Sequence, residues 1–334
     1  MTSRWARWTP RSAALGSLVY AAVHAYWAVA GPPRFPGPGE SFLPEGWAPV
    51  AASAVAAVVA LLVTVGWDSR PVVRWSLAAS GWVTGVALLL YSFMLPLSLL
   101  TVLGALFGAP VRRADLAVLL AQGSGATTGV LAVAVAVVAQ RRARHACPAC
   151  GRIHGRSPER RTDPSPWWAY LGGYGAVAAC LLRLGAQLPD GFRMSLSPGT
   201  TRAFVLTFLV LMVLAGTVLP LALAHRWGRI WPGWVLPLAG RPVPRWLVLG
   251  PALFVGAGLT GYFGVGGTTA WATGRIPGAS GWFLPVTLAA YTVWGLGLLV
   301  AAASYLALTR PVCPTRATGG DEPEPSHPTG MMAG

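Results

Sequence analysis

Four stretches of this chain, 47–66, 115–139, 203–224 and 282–308, hold a single charged residue between them, Asp115. A run of about 20 apolar residues is long enough to cross the hydrocarbon core of a bilayer as a helix. Backbone groups in lipid must be paired within the protein, so a chain with several such runs is confined to a bundle of spanning helices. The composition agrees. Of 334 residues, 54% are hydrophobic and only 10% are charged, where a soluble domain carries about 25% charged residues. The fold class read from the sequence is therefore all-α, a polytopic transmembrane helical bundle.

Turn-rich breaks such as "GPPRFPGPGE", "GWDSRP" and "WGRIWPGW" divide the chain into about eight expected spans: 12–30, 47–66, 71–94, 115–139, 168–187, 203–224, 246–265 and 282–308. Residues 95–109 are apolar but short, and are expected to extend the third span past Pro96 or to lie at the interface. Arg4, Arg7 and Arg11 ahead of an apolar stretch ending in "AVAG" mimic a signal peptide. A retained first helix is the preferred reading, because an internal duplication gives that helix a counterpart.

The duplication rests on "RPVVRW" at 70–75 and "RPVPRW" at 241–246. Aligning 70–91 with 241–262 gives eight identities in 22 positions, Gly85 with Gly256 and Tyr91 with Tyr262 among them. Gly129 echoes Gly295, and Arg144, Cys147 and Pro148 echo Arg310, Cys313 and Pro314. Tyr20 and Gly31 have the spacing of Tyr174 and Gly185. The expected architecture is two parallel four-helix repeats, 1–140 and 167–309, joined by an Arg-rich connector, 141–166, and followed by a polar tail, 310–334, that reads as disordered. Each hexamer is expected to open a helix at the cytoplasmic face. Pro is tolerated in a first helical turn, and Arg70, Arg74, Trp75, Arg241, Arg245 and Trp246 would serve as headgroup and topology anchors.

The net charge is +15, and all 25 basic residues are arginine. In a soluble protein this would point to nucleic acid. Here the arginines lie mostly between apolar runs, so the expected partners are the bilayer and its anionic headgroups. With both termini cytoplasmic, 18 of the 25 arginines fall on the inner side and 7 on the outer, the asymmetry expected of that orientation.

Two constellations could carry chemistry. Cys147-x2-Cys150 has half the spacing of a zinc site, and His154 with Cys313 would complete a Cys3His set. A thiol redox pair and plain loop thiols are the alternatives. Ionisable residues within spans are costly and point to function. His24 in the first span and Arg183 in the fifth are the two that stand out. With Tyr26, Trp27, Glu40, Gln187 and Asp190 they would line a polar pocket between the repeats. The plainer alternative pairs Arg183 with Asp190 and leaves His24 bonded inside the bundle.

Other readings are excluded. No acid lies mid-span, which argues against ordinary proton coupling, and the five histidines form no helical cluster. "GVGGTT" at 264–269 lacks the lysine of a phosphate loop. "GASG" at 278–281 and "AHRWG" at 224–228 resemble rhomboid protease motifs, but in reversed order and at span ends about 30 Å apart. As a whole the chain resembles the large pool of multi-pass membrane proteins of high-GC actinobacteria, in its all-arginine basicity, its "HAYWAVAG" and its duplicated hexamer. The resemblance implies the plasma membrane and no activity. The leading expectation is a protein that binds or transports a small or lipidic molecule in a cavity between the repeats. The alternatives are a regulatory or scaffolding protein with a zinc-binding connector, and an enzyme modifying a lipid or isoprenoid.

Overall fold

The computed structural model describes residues 3–31, 46–67, 70–108, 111, 113–147, 160–187, 202–274 and 281–310. They form eleven α-helices: α1 (Ser3–Ala30), α2 (Trp47–Val65), α3 (Pro71–Tyr91), α4 (Leu95–Leu103), α5 (Arg113–Ala143), α6 (Trp167–Gly185), α7 (Arg202–Gly216), α8 (Val218–Ala224), α9 (Arg245–Leu259), α10 (Thr268–Ala272) and α11 (Phe283–Leu308). Among the described residues there is no strand, only an isolated antiparallel bridge between Ile230 and Pro242.

Each of the eight expected spans is helical. Seven helical stretches are long and apolar enough to cross a membrane: Trp8–Ala30, Trp47–Val65, Pro71–Tyr91, Asp115–Ala143, Leu206–Ala224, Arg245–Ala272 and Phe283–Leu308. The chain is thus a multi-pass membrane protein. The eighth expected span, α6, has 19 residues but is not among them. Trp167, Trp168, Tyr170, Tyr174, Arg183 and its glycines dilute its apolar character. Large apolar side chains face outward, as lipid allows and water does not: Val29, Val65 and Leu120 are 79%, 77% and 72% exposed.

The helices form two groups. In the first, α1, α2, α3 and α5 enclose Ala13, Val59, Val63, Leu77 and Val135. In the second, α6, α8, α9 and α11 enclose Cys180, Leu223, Leu249, Leu298 and Tyr305. Small residues set the crossings, because they let backbones approach closely. A Cβ on Gly85 would stand 2.7 Å from Val133 Cγ2 and 3.1 Å from Gly129 O; one on Gly129 would stand 3.0 Å from Gly85 O and from Leu89 N. Between α9 and α11, a Cβ on Gly256 would stand 3.1 Å from Gly295 O and Leu299 Cγ; one on Gly295 would stand 2.9 Å from Gly256 O and Thr260 N. Along α6, Gly172 faces Gly297, and Arg183 faces Phe283. α6 therefore runs antiparallel to α11 over the length of the group.

Side-chain contacts also fix which ends share a face. Arg74 Nη1 lies 3.5 Å from His145 Nε2, and Arg144 stacks 5.6 Å from Trp75. Arg142 Nη1 donates to Val63 O at 2.7 Å. Tyr305 donates to Gly228 O at 2.9 Å, and Arg141, Arg161 and Arg310 all lie within electrostatic reach of Arg245. Both hexamers thus sit at one face, each at a helix start with Pro71 or Pro244 at the turn.

Three details go beyond the sequence. Residues 95–107 are a separate short helix, α4 with a 3₁₀ turn, which begins after a turn at 92–94 and packs on α5. "GVGGTT" is helical: Thr260–Gly267 form a π-helix that continues α9 into α10. Tyr20 and Tyr174 are not in equivalent settings, since Tyr20 is 5% exposed and Tyr174 is 51% exposed.

Candidate functional site

The two groups meet where the end of α3 and α4 touch α9 and the π-helix. Pro96 Cγ would lie 2.7 Å from a Cβ on Gly258, and Phe93 Cβ 3.4 Å from one on Gly261. Phe93 and Tyr262 bring their rings to 5.9 Å across this seam. On one side stands His24, 7% exposed, with ring distances of 4.2 Å to Tyr20, 4.8 Å to Trp27 and 5.5 Å to Tyr91. On the other side the aromatic series runs from Tyr262 to Phe263 at 4.7 Å, then Tyr291 at 4.0 Å. It ends at Arg183, whose Cζ lies 5.2 Å from the Tyr291 ring and 5.4 Å from that of Phe283.

Arg183 is 9% exposed. The Gln187 amide, with its oxygen turned to the guanidinium, accepts from Nη1 at 3.3 Å and Nη2 at 3.0 Å. The Nε is buried without a partner. No carboxylate among the described residues pairs with it. The carbonyls at the end of α6 and the two rings offset part of the cost of the buried charge. A full counter-ion is absent from the described residues, and burying an uncompensated charge costs several kcal/mol, by rough estimate. Other polar atoms near the seam are also buried and unpartnered, Ser92 Oγ and Thr260 Oγ1 among them. Ser92 Oγ and the Tyr20 hydroxyl both crowd the position where Gly125 lacks a side chain.

Some of the residues expected to line a pocket lie together and others do not. Gln187 joins Arg183 and Trp27 joins His24, but His24 and Arg183 belong to different helical groups and share no partner. Tyr26 points away, 68% exposed, as a residue two positions from His24 on a helix must. Glu40 and Asp190 lie outside the described residues. Of the expected metal ligands, Cys147 is half-buried just beyond α5, while Cys150, His154 and Cys313 lie outside the described residues. Among the described residues no three His, Cys, Asp or Glu side chains gather.

Arg70 caps the start of α3 and Arg74 lies in its first turn, whereas Arg241 precedes α9, whose first residue is Arg245. Arg70 and Arg241 are exposed, as are Trp75 and Trp246, at 46% and 60%. Arg245 stacks 5.8 Å from Trp246, and its Nε is buried without a partner.

The sequence reading missed Arg229, which lies in a connector yet is 1% exposed. Its Nη1 donates to Asp163 O at 2.8 Å, and Nη2 lies 3.5 Å from Ser165 Oγ. Ser165 in turn donates to Ala224 O at 2.6 Å. Burial pushes the Arg229 pKa down, and Tyr170, Tyr305 and Asp163 oppose that shift. His225 bonds the Tyr174 hydroxyl at 2.9 Å, at the face opposite the start of α11, so it serves no serine there. No family model, curated protein or solved structure matches the chain.

Proposed function

We propose that this is a membrane protein of two parallel four-helix units that binds or moves a small or lipidic molecule, anionic at one end, at the seam between the units. The observation that carries the reading is Arg183: a buried cation between two rings, with no carboxylate among the described residues to balance it. A carboxylate or phosphate on the ligand would supply the missing charge, and the aromatic series toward Phe93 would take its apolar part. A π-helix at the seam fits a site, because such wide turns recur where helices carry function.

Support for the duplicated architecture comes from the crossings. Gly85 meets Gly129 and Val133; Gly256, its match, meets Gly295 and Leu299. Shifting the first set by the hexamer register and by the Gly129–Gly295 register yields the second set. The antiparallel course of α6 along α11 supports an eighth span. The arginines gathered at one face support cytoplasmic termini, and the charge pattern suits a plasma membrane.

The test uses the protein in uncharged detergent with dodecanoate, and with dodecanol as its neutral counterpart. Dodecanoate should raise the unfolding temperature of the wild type while dodecanol does not, and Arg183→Gln should weaken the response at least about tenfold, the worth of one charge-assisted hydrogen bond. An unchanged response in that variant would remove the reading.

A second reading has its own support. The ends of α5 and α11 converge on Arg245, and a zinc clasp by Cys147, Cys150, His154 and Cys313 would draw on the segments that follow these two ends.

A further inference from the structure

The face of α11 that meets Arg183 carries a buried hydroxyl with nothing to bond. Phe283, Thr287 and Tyr291 are spaced by four residues, so they follow one another along one face of the helix. Arg183 Cζ lies 5.4 Å from the Phe283 ring and 5.2 Å from the Tyr291 ring. A guanidinium close to both rings stands over the turn between them, and Thr287 is in that turn. The pairing of the helices places it there independently. A Cβ on Gly297 would stand 3.1 Å from Ala176 Cβ. Since α6 runs antiparallel to α11, Arg183 comes opposite the turn 287–290.

Thr287 is 8% exposed, and its Oγ1 has no hydrogen-bond partner among the described residues. A threonine inside a helix can give its hydroxyl to the carbonyl four residues back. Thr84, Thr128 and Thr292 do so, at 2.8, 2.8 and 2.6 Å. Thr287 does not. Arg183 Nε is likewise buried without a partner, while Gln187 engages Nη1 and Nη2. Two donors thus stand at one turn with nothing among the described residues to receive them, and buried polar groups are costly to leave unmet.

We infer that the anionic head bound beside Arg183 is a carboxylate, with one oxygen on Arg183 Nε and the other on the Thr287 hydroxyl. The inference rests on the seam reading above and narrows it to one class of ligand, a monocarboxylate with an apolar body. Charge decides against a phosphate monoester. Arg183 supplies a single positive charge, which one carboxylate balances. A phosphate monoester carries roughly two negative charges near neutral pH, and the second would be buried with no cation to meet it. Thr287 touches the ligand directly and sets which head is accepted.

Thermal unfolding is followed in uncharged detergent of fixed concentration at about pH 8, where dodecyl phosphate is a dianion. Dodecanoate protects the wild type at a concentration at least about tenfold below that of dodecyl phosphate. Thr287→Val keeps the shape, removes the hydroxyl and raises the half-protecting concentration of dodecanoate about tenfold, as loss of a hydrogen bond to a charged group does. Thr287→Ser keeps the hydroxyl and the response. Thr292→Val changes nothing, because that hydroxyl is already given to Leu288 O. Without ligand, Thr287→Val unfolds no earlier than the wild type, since the group it removes has no partner; earlier unfolding marks a structural residue and overturns the inference. So does a wild-type dodecanoate response in Thr287→Val, an equal loss in Thr292→Val, or dodecyl phosphate bound as tightly as dodecanoate. The seam reading survives these results provided that Arg183→Gln weakens the response. A response unchanged in Arg183→Gln, or absent from the wild type with both ligands, removes the reading and the inference together. Should Thr287→Val fail to fold, Thr287→Ala is read in its place.

Discussion

Replacing Gly129 or Gly295 with alanine adds a methyl group where there is no room for one. On Gly129 it would stand 2.9 Å from Leu89 Cγ and 3.0 Å from Leu89 N and Gly85 O. On Gly295 it would stand 2.6 Å from Thr260 Oγ1 and 2.9 Å from Thr260 N and Gly256 O. Most of these neighbours are backbone, which cannot rotate away, so the two helices must part. Overpacking of this kind costs about 1–3 kcal/mol. Alanine gains roughly 1 kcal/mol over glycine as a helix former. Gly175→Ala supplies the control, because a Cβ there meets nothing within 4 Å. The helix-forming gain is common to all three variants and cancels in the comparison. Gly129→Ala and Gly295→Ala should each fall about 1–3 kcal/mol below Gly175→Ala. Unfolding by dodecyl sulfate titrated into neutral micelles measures the differences. If both variants track the control, the crossings are looser than the geometry states. If only one falls, the two halves are packed differently and the duplicated architecture fails.

Two further outcomes are expected. Arg229→Met keeps the bulk but strands the Asp163 carbonyl, a loss of about 1–3 kcal/mol; amide exchange over 225–244 should quicken, and an unchanged rate would show the guanidinium is not what holds the connector. On the zinc reading, purified protein carries about one metal ion per chain, as a four-ligand site implies, and Cys147→Ser loses it; metal-free wild type would end that reading.

Seven of the eight expected spans were legible because lipid leaves the backbone one local solution, and uncharged runs announce it. The same rule flagged His24 and Arg183, since both are expensive in hydrocarbon. Their surroundings were not legible. His24 takes Tyr91 from α3, and Arg183 takes Phe283 and Tyr291 from α11, and hydropathy carries no record of which helix faces which. Tyr26 could have been set aside from the sequence, because residues 24 and 26 lie about 200° apart around a helix. Arg229 was hidden for another reason. "WGRIWPGW" reads as a loop, and its burial comes from partners 66 and 64 positions away.

On the two-copy reading, the places where the copies differ say more than those where they agree. Gly16 packs on Leu131, and Gly172 packs on Gly297. The second pair matches the first when α5 is aligned with α11 through Gly129 and Gly295. That packing sets α6 two residues off the Tyr20–Tyr174 alignment, with Cys180 in the place of His24 and Arg183 in the place of Trp27. A methyl group cannot enter the Gly85–Gly129 and Gly256–Gly295 crossings without forcing the backbones apart. The polar groups are under no such restraint, and they have diverged. A pocket with His24 and Arg183 as symmetric partners therefore does not follow from the duplication. On the same reading one copy supplies a cation and the other an aromatic ring at the equivalent position, and a ligand lying along the seam, as proposed, would meet positive charge at one end only. This is the argument for a molecule with a single anionic head rather than one charged along its length.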